Sequence, residues 1–156
     1  MFNRHPAETP RPSQSPTPSL LRMPQTEVLL VEDSAGDVLL TNQILAEFLQ
    51  PVKLHVARDG EQALAMLSDE HFRPAMVILD LSLPKLSGFD VLEQNPRKDI
   101  PVVIFSASHR LSDKERTLSL GAKEYVHKPI DMVGYRNAVV GMVRNWAMPA
   151  SGTDAV

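Results

Sequence analysis

Three short apolar runs punctuate the chain: Val28-Leu29-Leu30-Val31, Met76-Val77-Ile78-Leu79 and Val102-Val103-Ile104-Phe105. They are continuous rather than alternating and rich in β-branched residues, the pattern of strands buried on both faces. Weaker strand patterns lie at Lys53 to Arg58 and Glu124 to His127. Between them the apolar spacing turns helical, over about Gly36 to Leu49, Glu61 to Ser68, Phe89 to Gln94, Asp113 to Leu120 and Met132 to Trp146. Ser112 with Glu115 reads as a capping box, and Gly121 is placed to close the same helix in the left-handed conformation. Five βα units in succession predict an α/β fold, a doubly wound five-stranded parallel sheet in the strand order 2-1-3-4-5.

Composition narrows this to one domain. The 156 residues, 43% hydrophobic and 22% charged, suffice for a single core and are too few for two ordinary ones. Residues 1–25 alternate Pro6, Pro10, Pro12, Pro16, Pro18 and Pro24 with Ser, Thr and Arg, so a disordered tail is expected there, with Met23 an alternative start. The domain is expected over 26–147 and a flexible tail over 148–156, where Pro149, Ser151 and Gly152 cluster. A net charge of -3 without a Lys/Arg block gives no footprint for nucleic acid or an anionic membrane. The absence of cysteine excludes disulfide and thiol chemistry, and no apolar stretch reaches the length of a membrane span or signal-peptide core. The expected location is the cytoplasm.

Chemistry enters where the strands end. In an open parallel sheet, ligands sit beyond the carboxyl ends of the strands at the switch point, between strands one and three in this order. Those strands end in Glu32-Asp33 and in Asp80. Carboxylates within about 5 Å repel by about 3 kcal/mol per pair at an effective dielectric near 20. The cluster therefore calls for a hard divalent cation with oxygen ligands, Mg²⁺ first among them. Asp80 is the candidate nucleophile toward a phosphoryl group, with Ser106 and Lys128 at the ends of strands four and five supplying a hydroxyl and an ammonium for its oxygens. Pro129, after Lys128, is a candidate for a cis peptide. Singly, each residue has an ordinary role as cap, turn former or loop residue; it is their joint placement at successive strand ends that points to a site.

At these residues the chain resembles the receiver domains of two-component response regulators. The resemblance runs through Val28-Leu29-Leu30-Val31-Glu32-Asp33-Ser34, Asp59-Gly60-Glu61-Gln62-Ala63-Leu64 and Ile78-Leu79-Asp80-Leu81-Ser82-Leu83-Pro84-Lys85-Leu86-Ser87-Gly88. It continues through Ile100-Pro101-Val102-Val103-Ile104-Phe105-Ser106-Ala107 and Gly121-Ala122-Lys123-Glu124-Tyr125-Val126-His127-Lys128-Pro129, and covers roughly Glu27 to Trp146. The Leu-Asp-Leu-Ser-Leu-Pro-Lys wording is most similar to stand-alone receivers partnered with bacteriophytochrome-type histidine kinases. The resemblance implies Asp80 as phosphoacceptor and Glu32, Asp33, Asp80 and the backbone carbonyl of Ser82 around Mg²⁺. It implies contact of Ser106 and Lys128 with the phosphoryl group, and Tyr125 as the switch aromatic. The implied partner is a sensor histidine kinase or phosphotransfer protein, and the implied chemistry is confined to the protein's own phosphorylation and autodephosphorylation, which makes it no enzyme toward other substrates.

Two features depart from the family pattern. The stretch from Gly88 to Ile100 is about one turn short, with Pro96 cutting the third helix early, and Ser82 and Ser108 are small where side chains steer the hydrolytic water. Ten residues after Trp146 are too few for an output module, so a stand-alone receiver signalling by protein contact is expected. The last helix carries Met132, Tyr135, Val139, Met142 and Trp146 on one stripe, mostly core, while Val133, Val140 and Ala147 leave another face for a phosphorylation-favoured homodimer. A haloacid-dehalogenase-type phosphatase needs a second Asp where Ser82 stands, and a nucleotide binder needs a neutral glycine-rich loop where Glu32-Asp33-Ser34-Ala35-Gly36 is acidic. The remaining alternative is an adaptor with this fold that works without phosphorylation.

Overall fold

The computed structural model describes residues 25–148. The expected tails over 1–25 and 148–156 lie almost wholly outside the described residues. Five strands and five helices alternate: β1 Thr26–Val31, α1 Ala35–Leu45, β2 Val52–Ala57, α2 Gly60–Ser68, β3 Met76–Leu79, α3 Gly88–Gln94, β4 Val102–Ser106, α4 Leu111–Ser119, β5 Glu124–His127 and α5 Met132–Trp146. The strands form one parallel sheet in the order β2-β1-β3-β4-β5, as the alternation of runs predicts. The three central runs are buried nearly throughout because helices cover both faces of the sheet.

Side chains alternate across the sheet and divide the core in two. Leu29, Val31, Val77, Leu79 and Ile104 face Ala63 and Leu67 of α2 and Val91 and Leu92 of α3. Val28, Leu30, Met76, Ile78, Val103 and Phe105 face Ile44 and Leu45 of α1 and Tyr135, Val139, Met142 and Val143 of α5. The α5 stripe is thus largely core, as its spacing predicts, although Met132 at its start is 64% exposed. α4 differs from the other helices, since Thr117 is its one buried residue.

Helix ends show where local signals were read correctly and where not. α3 is short, seven residues, and is started by a capping box in which the Ser87 side chain accepts from the Asp90 amide and Asp90 reaches back to Ser87. α4 has no such box. It begins at Leu111 with Arg110 as an N-cap that makes no side-chain bond, which places Ser112 inside the helix instead of at its start. The turn before it is organised instead by Ser108, whose hydroxyl donates to Asp113 at 2.6 Å and accepts from the Arg110 amide at 3.2 Å. Gly121 follows α4 with φ +106, the left-handed conformation expected of it.

Candidate metal and phosphoryl site

Register carries the chemistry to one edge. Val31 pairs with Leu79, Leu79 with Ile104, and Ser106 with His127. The residues that follow, Glu32-Asp33, Asp80 and Lys128, therefore emerge side by side at the carboxyl end of the sheet. Carboxylate oxygens of Glu32, Asp33 and Asp80 all lie within 4.8 Å of one another. Glu32 is 2% and Asp80 8% exposed, whereas Asp33 opens to solvent.

Lys128 enters this cluster from β5. Its ammonium donates to Glu32 Oε1, to Asp37 Oδ2 at 3.1 Å and to Asp80 Oδ2 at 3.2 Å. The second Glu32 oxygen accepts from the Ser34 amide at 3.2 Å, and Asp80 Oδ1 receives the Ser82 amide at 3.4 Å. Burial dominates the titration of Glu32: desolvation, with the nearby Asp80 charge, pushes its carboxyl up to about 7 against the pull of Lys128. Burial works the other way on Lys128, yet its bond to Glu32 and the charges of Asp80 and Glu32 outweigh that and hold the ammonium protonated well beyond the usual lysine range. The two groups thus differ in what prevails: burial for Glu32, and for Lys128 the three carboxylates its ammonium faces.

Four carboxylates around one cation leave negative charge uncompensated when all are ionised, and their oxygens are the hard donors that a divalent ion such as Mg²⁺ or Mn²⁺ prefers. Glu32, Asp33 and Asp80 fit that role in number and spacing. Ser106 is buried at the end of β4, its hydroxyl accepting from the Ser108 amide at 3.2 Å, while its carbonyl takes the Lys128 amide at 2.7 Å. Tyr125 packs against the α2–α3 side of the core and donates its hydroxyl to the Ser108 carbonyl at 2.8 Å. Ser106 and Tyr125 thus meet at the same turn, β4–α4, one through each side of Ser108.

Two sequence expectations change. The Lys128–Pro129 bond is trans, since the described residues contain no cis peptide. Trans is the ordinary preference of X-Pro by about 0.5–1 kcal/mol, and β5 hydrogen bonding through Lys128 followed by the Asp131 cap of α5 needs no reversal there. Asp37 was missed. It sits in the first turn of α1, with its amide on the Ser34 hydroxyl at 3.3 Å, where an acid is ordinary at a helix start. No local sequence pattern signals its reach to Lys128.

The comparisons with known proteins agree with this geometry. The response regulator receiver domain family matches residues 28–139. Response regulator Rcp1 of Synechocystis sp. is 34% identical over 132 residues, covering 79% of this chain and 90% of its own. The crystal structure of the Mn²⁺-bound form of Rcp1 superposes with a TM-score of 0.73 at 32% identity, over 81% of this chain and 97% of that one. That of the phosphorylated cyanobacterial phytochrome response regulator RcpA gives 0.75 at 31%, over the same 81% and 97%. Other curated relatives are longer: the chain spans 43% of the probable transcriptional regulator ycf27 of Porphyridium aerugineum and 26% of a probable cyclic di-GMP phosphodiesterase of Vibrio cholerae. No helix among the described residues is long and apolar enough to cross a membrane. With a 2-1-3-4-5 parallel sheet, an acidic cluster at its switch point and a family match over most of its length, the chain belongs to the response regulator receiver domains of two-component signalling and is similar to the phytochrome response regulators Rcp1 and RcpA.

Proposed function

We propose that this receiver takes a phosphoryl group onto Asp80 from a histidine kinase or phosphotransfer protein, with Mg²⁺, and signals through protein contacts. The observation behind the reading is the convergence of Glu32, Asp33, Asp80 and Lys128 at one strand edge. An Asp80 carboxylate oxygen attacks phosphorus, the P–N bond to the donor imidazole breaks, and the imidazole leaves with the bond electrons and takes up a proton. A divalent ion held by Glu32, Asp33 and Asp80, with the Ser82 backbone carbonyl, supplies neutralising charge to the phosphoryl oxygens. Lys128 exchanges a carboxylate partner for a phosphoryl oxygen, and the Ser106 hydroxyl turns from the Ser108 amide toward another.

Each charge-assisted bond formed in this way contributes about 1.5–3 kcal/mol, and about 1.4 kcal/mol is enough to change a state ratio tenfold. Loss of the Ser106 contact loosens the β4–α4 turn that also holds the Tyr125 hydroxyl, so Tyr125 reports the state of Asp80 on the α4–β5 surface. The exposed Val133 side of α5 is a secondary surface for a second copy of the chain; sedimentation of the beryllofluoride-treated protein as pure monomer removes that part. The site itself is tested by Mg²⁺-dependent labelling with acetyl phosphate, read by intact mass. One phosphoryl adduct is expected on wild type and none on Asp80→Asn; equal labelling of both overturns the role of Asp80, and labelling of neither leaves the phosphorylation-independent adaptor.

A further inference from the structure

The Lys128 ammonium has three N–H donors and faces three carboxylates: Glu32, Asp37 at 3.1 Å and Asp80 at 3.2 Å. Two of these acceptors, Glu32 and Asp80, belong with Asp33 to the cluster suited to a divalent ion, and Asp37 lies outside it. An ion bound in that cluster draws on the charge of Glu32 and Asp80 and repels the ammonium beside them. Asp37 is then the acceptor that Lys128 does not share with a second cation. The lysine side chain is only 12% exposed, so water does not replace a lost partner where the ammonium stands. Without an anion of its own, Lys128 would swing out of the site as the metal enters.

Local structure leaves Asp37 free for this role. Ser34 caps α1 with its hydroxyl and donates its amide to Glu32 at 3.2 Å, so the helix end is served without the Asp37 carboxylate. Among the described residues that carboxylate bonds to Lys128. Lys128 is anchored in turn by its own amide on the Ser106 carbonyl at 2.7 Å, and its ammonium stands 5.8 Å from the centre of the Phe105 ring. The pair therefore ties the start of α1 to the end of β5, across the opening of the site.

We propose that Asp37 is a positioning residue for Lys128: it keeps the ammonium at the site after Glu32 and Asp80 have turned to the metal, and it is the partner Lys128 retains while its other donors move to the phosphoryl oxygens. This deepens the function proposed above and rests on its assignment of the metal ligands and of Asp80.

The test follows the Lys128 ammonium resonance in the isotope-labelled full chain, a signal seen only while its protons are hydrogen-bonded and shielded from exchange with water. In metal-free buffer the signal is expected in wild type and in Asp37→Asn alike, because Glu32 and Asp80 hold the lysine in both. At saturating Mg²⁺ it is expected to persist in wild type and in Asp37→Glu and to vanish in Asp37→Asn. Acetyl phosphate labelling at saturating Mg²⁺ is expected to slow about tenfold in Asp37→Asn, although loss of a negative charge favours an anionic donor, and the substitution is expected to add nothing in a Lys128→Met background. A signal that survives Mg²⁺ in Asp37→Asn, one already lost without metal, or additive losses in the double variant overturns the proposal. Amide shifts of Asp33 and Asp80 on adding Mg²⁺ report the metal site, and the mass shift on wild type reports Asp80, so failure of the proposed function is seen apart from failure at Asp37.

Discussion

Lys128 and Glu32 show how far a residue's environment can move it from its solution behaviour. Glu32, buried and beside Asp80, keeps its proton up to about pH 7 in the folded chain, against 4.5 as the ordinary value. Between those two values the native state binds more protons than the unfolded one, so this group's contribution to stability falls as pH rises through the interval and is level outside it. Glu32→Gln removes the slope. In EDTA, urea unfolding of Glu32→Gln minus wild type is expected to shift in favour of the variant from pH 4.5 to about 7, and parallel curves would contradict the burial argument. Much of the site was legible at this scale because strand-end positions are fixed by register: once β1, β3 and β5 are recognised, Glu32, Asp33, Asp80 and Lys128 must meet. Asp37 was not legible in the same way, because its reach to Lys128 depends on the angle at which α1 leaves β1, which no local pattern encodes. The trans Lys128–Pro129 bond was misread because a proline permits a cis peptide without requiring one.

Among the elements, α3 is the one whose placement bears most directly on Asp80. Its first residue, Gly88, donates its amide to the Leu81 carbonyl at 3.0 Å, and a Cβ there would stand 2.5 Å from the Asp80 carbonyl oxygen and 2.7 Å from the Leu81 Cα. Both obstacles are backbone, so Gly88→Ala must displace the Asp80–Leu81 segment itself. The expected cost is about 1–3 kcal/mol in urea unfolding, with slower acetyl phosphate labelling; a variant as stable and as readily labelled as wild type would show that the loop gives way freely. The sequence pattern located this helix to within a residue and foresaw its shortness from Pro96. It misplaced the start of α4, since Ser108 outcompetes Ser112 for organising that turn through a longer-range bond to Asp113.

For the whole molecule, the two-sided core explains why the fold itself was readable: three apolar runs, two weaker strand patterns and the intervening helical periods leave few topologies that bury them. What periodicity does not show is how unequally the helices are held. α1, α2 and α3 each bury three residues and α5 four, whereas α4 buries Thr117 alone. Local opening free energy follows buried apolar contact, so α4 amides are expected to exchange with deuterium fastest of the five helices, and slower exchange than α1 would refute it. The loosely held helix is also the one flanking Tyr125 and the β4–α4 turn. The receiver thus has its larger buried reserve on the α1–α5 side and its least buried helix beside Ser108, so under the function proposed above a small change in bonding at Asp80 would be read out as a change in how often one helix lifts from the sheet.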